Sequence, residues 1–214
     1  MGRSNSFEMR VKNLLQNESP SKFGKQSGSE TYGSSPRIYL SRIGMYGLVD
    51  MHEYSVIPKF FDHLEFREDK SIEDTTRYLE KLLGREASGN TAYWFIRLLD
   101  SDKVIGTLGL IDIDFDKKTG EIGKGLSPDY WGKGYMNEAF SLYLAYCFDI
   151  LGLEKLWSVT SHENEANIRL MKRCGFTVER RLENFYRKHD GRQYDAVLLE
   201  QLKGTYLNSR LDPK

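Results

Sequence analysis

Gly132-Lys133-Gly134, at the centre of residues 126–139, is the part of this chain best suited to chemistry. The stretch reads as the end of a strand, a tight turn and the start of a helix. A glycine-rich turn that opens a helix leaves several backbone N–H groups unpaired and aimed one way, where the helix dipole also favours negative charge. Gly132 and Gly134 carry no side chain to block a ligand from that backbone, and Lys133 adds a cation. These residues describe a phosphate or pyrophosphate cradle, although a Gly-x-Gly turn before a helix is often a turn and nothing more. Two familiar nucleotide motifs are absent. No Gly-x-x-x-x-Gly-Lys-Ser/Thr occurs, and Gly134 is followed by Tyr135-Met136-Asn137, which breaks the Gly-x-Gly-x-x-Gly fingerprint.

The elements around the turn can be read from periodicity. After it, Met136, Phe140, Tyr143, Leu144, Cys147, Phe148 and Leu151 recur at helical spacing, so a helix runs to about Ile150. Before it, residues 37–43 alternate as a first strand. Two helical stretches follow, about 47–64 and 71–83. Pro58 should split the first; Ser71 caps the second, with Asp74 three residues on and Gly84 past its end. Strands at 92–99, 104–113 and 120–126 are joined by hairpin-length turns and form an antiparallel meander. A fifth strand, 155–160, returns after the helix, so it lies parallel to 120–126. Asn164 caps a short helix that Gly175 ends, and strands near 180–188 and 194–201 close the sheet around the turn His189-Asp190-Gly191.

Composition narrows the classes. The 214 residues carry 31 basic and 31 acidic side chains, and this neutral balance argues against a nucleic-acid partner. No apolar run reaches the roughly 20 residues that span a bilayer, and no secretory leader is visible. Cys147 and Cys174 give neither a disulfide framework nor zinc spacing, so no metal is expected. The expectation is a cytoplasmic protein, monomer or homodimer, with one domain at 37–203. Residues 1–36 read as a flexible extension with a turn or two of helix at Phe7–Leu15, and 204–214 as a tail. Met1-Gly2-Arg3-Ser4-Asn5-Ser6 formally fits N-myristoylation, but a dispensable extension is the better reading.

Trp131-Gly132-Lys133-Gly134-Tyr135-Met136 resembles the acyl-CoA pyrophosphate loop of the GNAT acetyltransferases, whose pattern is Gln/Arg-x-x-Gly-x-Gly/Ala. Gly134 matches; Trp131 replaces Gln/Arg, and Met136 replaces the small residue and leaves less room beside the phosphates. Tyr-Trp-Gly-Lys-Gly-Tyr is typical of the RimJ/RimL-like branch. A second string, Asn164-x-Ala166-x-Ile168-x-Leu170-x-x-x-x-Gly175-Phe176, resembles the segment that follows the fifth GNAT strand. The resemblance implies an α/β GNAT fold: a mixed, mostly antiparallel sheet with parallel neighbouring strands at the CoA site and helices on both faces. Those two strands splay in the family, and the thiol arm pairs with the exposed backbone. It also implies acetyl-CoA as cosubstrate. The candidate cofactor residues are Leu126, Trp131, Gly132, Lys133, Gly134, Tyr135, Met136, Asn164 on the pantetheine arm, Asn167 near the thiol, and Lys172 or Arg173 at the 3′-phosphate.

Acetyl transfer to an amine needs a neutral acceptor, a polarised thioester carbonyl and a proton for the leaving thiolate. A backbone N–H near Leu126 can polarise the carbonyl. Glu121 is the first candidate base, with Glu163 and His162 behind it; a solvent-facing carboxylate is the plain alternative. The resemblance points to a tyrosine after Gly-Phe as the acid, Tyr186 before Tyr194, although either ring could simply pack in its hairpin. The acidic and aromatic residues Asp50, His52, Glu53, Phe60, Phe61, Asp62 and His63 could line the acceptor pocket or belong to an ordinary amphipathic pair. The expected activity is direct acetyl transfer to a primary amine, a protein N-terminus first. A small amine (an amino sugar nucleotide or a polyamine) is the alternative, or a CoA-binding sensor without chemistry.

Overall fold

The computed structural model describes residues 2–17, 35–62, 71–187 and 191–211. His63 and the turn residues His189 and Asp190 lie outside them. Seven strands form one sheet in the order β1-β2-β3-β4-β5-β7-β6. These are β1 Ile38–Arg42, β2 Ala92–Leu98, β3 Val104–Asp114, β4 Thr119–Leu126, β5 Lys155–Ser161, β6 Thr177–Arg187 and β7 Gln193–Leu202. Neighbours pair antiparallel, except that β4 and β5 are parallel. The expected meander and crossover are both present.

Strand alternation sends side chains to two cores. Trp94, Ile96, Leu108, Leu110 and Ile122 face α4 (Tyr135–Ala145), which continues as a π-helical turn, Tyr146–Leu151. Tyr93, Phe95 and Val104 face α2 (Leu48–Ser55) and α3 (Ile72–Glu86). Pro58 ends the α2 stretch as expected, and the chain resumes as a short 3-10 turn, Pro58–Phe61. Ser71 and Asp74 make the reciprocal capping box of α3. Gly84 does not end that helix. The helix runs two residues further, and Glu86 accepts from Tyr93 N–H (2.7 Å) and pairs with Arg42 (3.0 Å). The left-handed residue that turns the chain is Gly89 (φ 75°).

Both chain ends differ from the expected tails. Gly2–Asn17 forms helix α1, whose Phe7, Val11, Leu14 and Leu15 stripe packs on the α4 side of the sheet, with Val11 and Leu15 buried. Arg10 Nη2 donates to the carbonyls of Ile150 and Leu151 (3.0 and 3.1 Å), satisfying acceptors at the end of the π-helical turn. The segment looked like a tail because its apolar stripe is short and the rest of it is polar. At the other end, α6 (Lys203–Leu211) buries Tyr206 against Phe148 and donates its hydroxyl to Asp149 (2.9 Å). Truncating a buried leucine typically costs about 2–5 kcal/mol. Leu15→Ala should therefore lower the unfolding free energy of the whole domain by that amount, read in urea titration as a lower midpoint, whereas in an undocked extension it would change nothing.

Candidate active site

The site begins where two parallel strands part. β4 and β5 pair only from Thr119↔Lys155 to Glu121↔Trp157. Beyond that, Ile122–Leu126 pairs with β3 alone and Ser158–Ser161 with β7 alone. Ser158 holds the parting point, because its hydroxyl donates to the Ile122 carbonyl (3.1 Å) where a ladder bond would otherwise form. The free edge has a definite phase. Ser127 N–H donates to Ile105 O (2.8 Å), and antiparallel ladders alternate their bonding side residue by residue. The N–H groups of Lys124 and Leu126 therefore face the gap, near the place where the sequence asked for an oxyanion donor.

The turn that follows is pinned to this edge. Trp131 Nε1 donates to Leu126 O (2.6 Å), with Lys59 Nζ 5.5 Å from the ring. Gly132 (φ 72°) and Gly134 (φ 86°) adopt the left-handed region that L side chains avoid, and a Cβ on Gly132 would meet open space. Gly134 is the N-cap of α4 and contributes no side chain, so the first-turn N–H groups at Tyr135 and Met136 have no intrahelical partner. Lys133 is exposed, and its Nζ lies 5.8 Å from the Tyr130 ring. Met136 does not crowd this mouth: its side chain is buried in the core. The helical phase that turns it inward was already visible in its spacing to Phe140 and Tyr143.

Arg37, which the sequence did not single out, braces the turn from just before β1. It donates to Lys133 O (2.9 Å) and Glu138 (2.6 Å), and its guanidinium stacks 4.2 Å from the Tyr135 ring centroid. Ser35 also donates to Glu138. A carboxylate beside an anion cradle would repel the anion, and these donors offset its charge.

Helix α5 (Glu165–Arg173) lines the far side. Asn164 caps it, accepting from Asn167 N–H (3.1 Å), which occupies the oxygen of its side-chain amide and leaves the NH₂. Asn167 donates to Thr160 Oγ1 (2.9 Å) at the end of β5, while its own Oδ1 is buried without a hydrogen-bond partner. A buried orphan acceptor is costly unless something donates to it. An amide N–H of a pantetheine arm has the required chemistry. Lys172 and Arg173 are exposed in the last turn of α5. The open glycine turn, the free N–H edge and this orphan acceptor together fit an acyl-CoA.

The acid and base candidates fall in different places. Glu121 is half-buried on β4, and burial, reinforced by Asp112, pushes its carboxyl above the ordinary range. By alternation it shares a face with Gly123 and Gly125, and Phe60 lies against Gly125, so a Cβ there would come within 2.9 Å of its ring. This aromatic wall beside a carboxylate is suited to an amine. Tyr186 is elsewhere. It pairs with Tyr194, next to the Arg187↔Gln193 pair at the closed end of the β6–β7 hairpin, and packs edge-on against Phe185. The sheet register carries it from Glu121↔Trp157↔Glu200 down β7 to Tyr194, about 20 Å along the strands and about 14 Å across them. The structure does not bring Glu121 and Tyr186 together.

The other candidates are mostly engaged elsewhere. His162 and Glu163 are exposed beyond β5. Asp50 accepts from Val104 N–H (2.8 Å), Glu53 pairs with Lys103, and His52 meets Thr75 Oγ1 (2.8 Å), which is the plain amphipathic reading. The cysteines stay thiols, since burial pushes Cys147 up and Cys174 to about 11. Lys124 is the group that the sequence reading missed. It stands in the gap with Nζ 3.3 Å from Ser158 Oγ. The signal was there, because Lys124 is in phase with the inward-facing Ile122 and Leu126.

The chain is similar to known proteins in sequence and in fold. Residues 39–177 match the model of the "Acetyltransferase (GNAT) domain". The N-acetyltransferase p20 of Bacillus licheniformis is 29% identical over 150 residues, 70% of this chain and 82% of that one. A spermidine N(1)-acetyltransferase of Vibrio cholerae is 30% identical over 61% of this chain and 75% of its own length. The crystal structure of spermidine N-acetyltransferase from Vibrio cholerae with CoA and spermine superposes with a TM-score of 0.71 at 21% identity, over 81% of this chain and all of that one. With the family model spanning the sheet from β1 to the start of β6, the chain belongs to the GNAT acetyltransferases and is an N-acetyltransferase.

Proposed function

We propose that this enzyme transfers acetyl from acetyl-CoA to the primary amine of a small, cationic acceptor of the polyamine kind. The observation that carries the transfer itself is the β4–β5 gap, with the N–H groups of Lys124 and Leu126 turned into it. Acetyl-CoA supplies the activated acyl group; Gly132–Met136 hold its pyrophosphate, and Asn164 and Asn167 its arm. The N–H edge stabilises the oxyanion that develops on the carbonyl, where one well-placed donor is typically worth roughly 2.7–4 kcal/mol. The acceptor enters from the α2 side, over Gly125 and against Phe60, with Thr107 beside it. Glu121 takes the proton that the attacking amine must lose, directly or through water.

The choice of acceptor rests on charge. Glu121 and Asp112 are close enough to repel each other, and two neighbouring carboxylates favour a ligand with more than one ammonium. Spermidine acetyltransferases among the relatives support this choice. The string Tyr130–Tyr135, typical of RimJ/RimL-like enzymes, keeps a protein N-terminal amine as the second reading.

Thiol release from acetyl-CoA against a panel of spermidine, amino sugar nucleotides and short peptides tests both readings. Turnover is expected with spermidine, and turnover confined to peptides would select the second reading. Silence across the panel from a protein that still binds CoA would overturn small-amine transfer.

A further inference from the structure

Lys124 is an unusual residue for the interior of a sheet. It projects from β4 toward α4 and α5, in phase with Ile122 and Leu126, which are buried. Its Nζ donates to Ser158 Oγ across the parting strands (3.3 Å) and lies 5.8 Å from the Phe140 ring of α4. Among the described residues no carboxylate is within ion-pair distance of it. The titratable groups that act on it are Cys174 from α5 and Glu121 on its own strand; β5 presents Ser158 and α4 presents Phe140. An enclosed ammonium without a counter-ion is costly, and proteins retain such groups where a negative charge arrives. The backbone N–H of the same residue faces the gap, so side chain and main chain both serve one place.

We propose that Lys124 is the catalytic acid of this enzyme: its ammonium, oriented by Ser158, protonates the coenzyme A thiolate as it leaves. The proposal rests on the acetyl-transfer reading above. It gives the acid role to a residue on β4 itself, whereas Tyr186 lies on β6, beyond both β5 and β7. As the C–N bond forms and the C–S bond breaks, Lys124 gives one proton to sulfur and becomes a neutral amine. The neutral nitrogen of the acceptor sheds one proton to Glu121 or water; Glu121 then releases that proton to solvent and Lys124 takes one up, so the cycle ends with an amide, a free thiol and both groups restored. One of the three N–H donors of Lys124 is engaged by Ser158 and two are free to face sulfur. Burial lowers the Lys124 pKa to about 8, against the raising influence of Cys174 and Glu121, which makes it a stronger acid than a surface lysine while leaving it mostly protonated at neutral pH. The acid must be protonated to act, so turnover should fall as pH rises through about 8.

A purely structural lysine, tethering Ser158 to hold the strands apart, predicts something different, and bound CoA separates the two. The ionisation of the bound thiol can be followed by thiolate ultraviolet absorbance across pH, with no acceptor present. In the wild type the neighbouring ammonium should favour the thiolate. In Lys124→Met the bound thiol should ionise at least about one pH unit higher, tenfold in its acid constant, with CoA affinity little changed. Turnover in that variant should drop about 100-fold or more and lose its fall above pH 8. Lys124→Arg should restore the thiol ionisation but not the turnover, because a guanidinium does not give up its proton. Identical thiol titrations in wild type and Lys124→Met, both folded by thermal melting, would overturn the proposal, as would full turnover in Lys124→Arg. Failure of the wild type to bind CoA at all would remove the cofactor reading and this one with it.

Discussion

Gly134→Glu should abolish useful CoA binding, raising the dissociation constant at least about 100-fold, or roughly 2.7 kcal/mol. Three effects combine. Gly134 sits at φ 86°, and a residue with a Cβ there is strained by roughly 1–2 kcal/mol. The new Cβ would lie 3.2 Å from Arg37 Nη2, which braces the turn through the Lys133 carbonyl. The new carboxylate would stand at the mouth of α4, where the unpaired N–H groups and the helix dipole otherwise attract an anion. It would also compete with Glu138 for Arg37, so the fold has a partner for it even as the cofactor is repelled. Calorimetric titration of CoA reads the loss, and thermal melting reports whether the variant is folded. Gly134→Ala carries the strain without the charge and should lose no more than about tenfold. A folded Gly134→Glu protein with unaltered CoA affinity would remove the turn from the cofactor site.

The sheet was legible because its signals are local. The strand pattern, the Ser71 cap and the Gly132–Gly134 turn each follow from a few adjacent residues. The misreadings share a different cause, since they depend on partners distant in sequence. The Val11 and Leu15 stripe is weak until the α4 side of the sheet is present to cover it, and Gly84 stays helical because Glu86 finds Arg42 and the N–H of Tyr93. Tyr186 looked suitable by order along the chain, but register decides distance, and the β6–β7 hairpin holds it apart from Glu121. Arg37 acts across nearly a hundred residues, a contact that no motif encodes. Lys124 could have been found, because a lysine in step with Ile122 and Leu126 either breaks the alternation or serves a charge inside it.

Glu121→Gln should lower turnover by about 100-fold or more, the usual contribution of a positioned base, while acetyl-CoA binding stays close to wild type. Glu121 lies on the last residue pair before the strands part, opposite Ile111 on β3 and Trp157 on β5, so its backbone is held at the start of the gap. Its carboxyl is held above the ordinary range by burial first and Asp112 second, with Lys124 pulling the other way. A base must be unprotonated to act. A raised pKa therefore means that activity is lost as pH falls through a value above the usual carboxylate range, and is retained above it. The substitution to Gln keeps shape and one acceptor but removes that ionisation, so the acid limb of the profile should vanish with the rate. Asp112→Asn gives the complementary test: removing the neighbouring charge should shift the same limb to lower pH without a comparable loss at the plateau. An acid limb that persists unchanged in Glu121→Gln would assign the base elsewhere, with His162 or Glu163 at the end of β5 as the next groups to substitute.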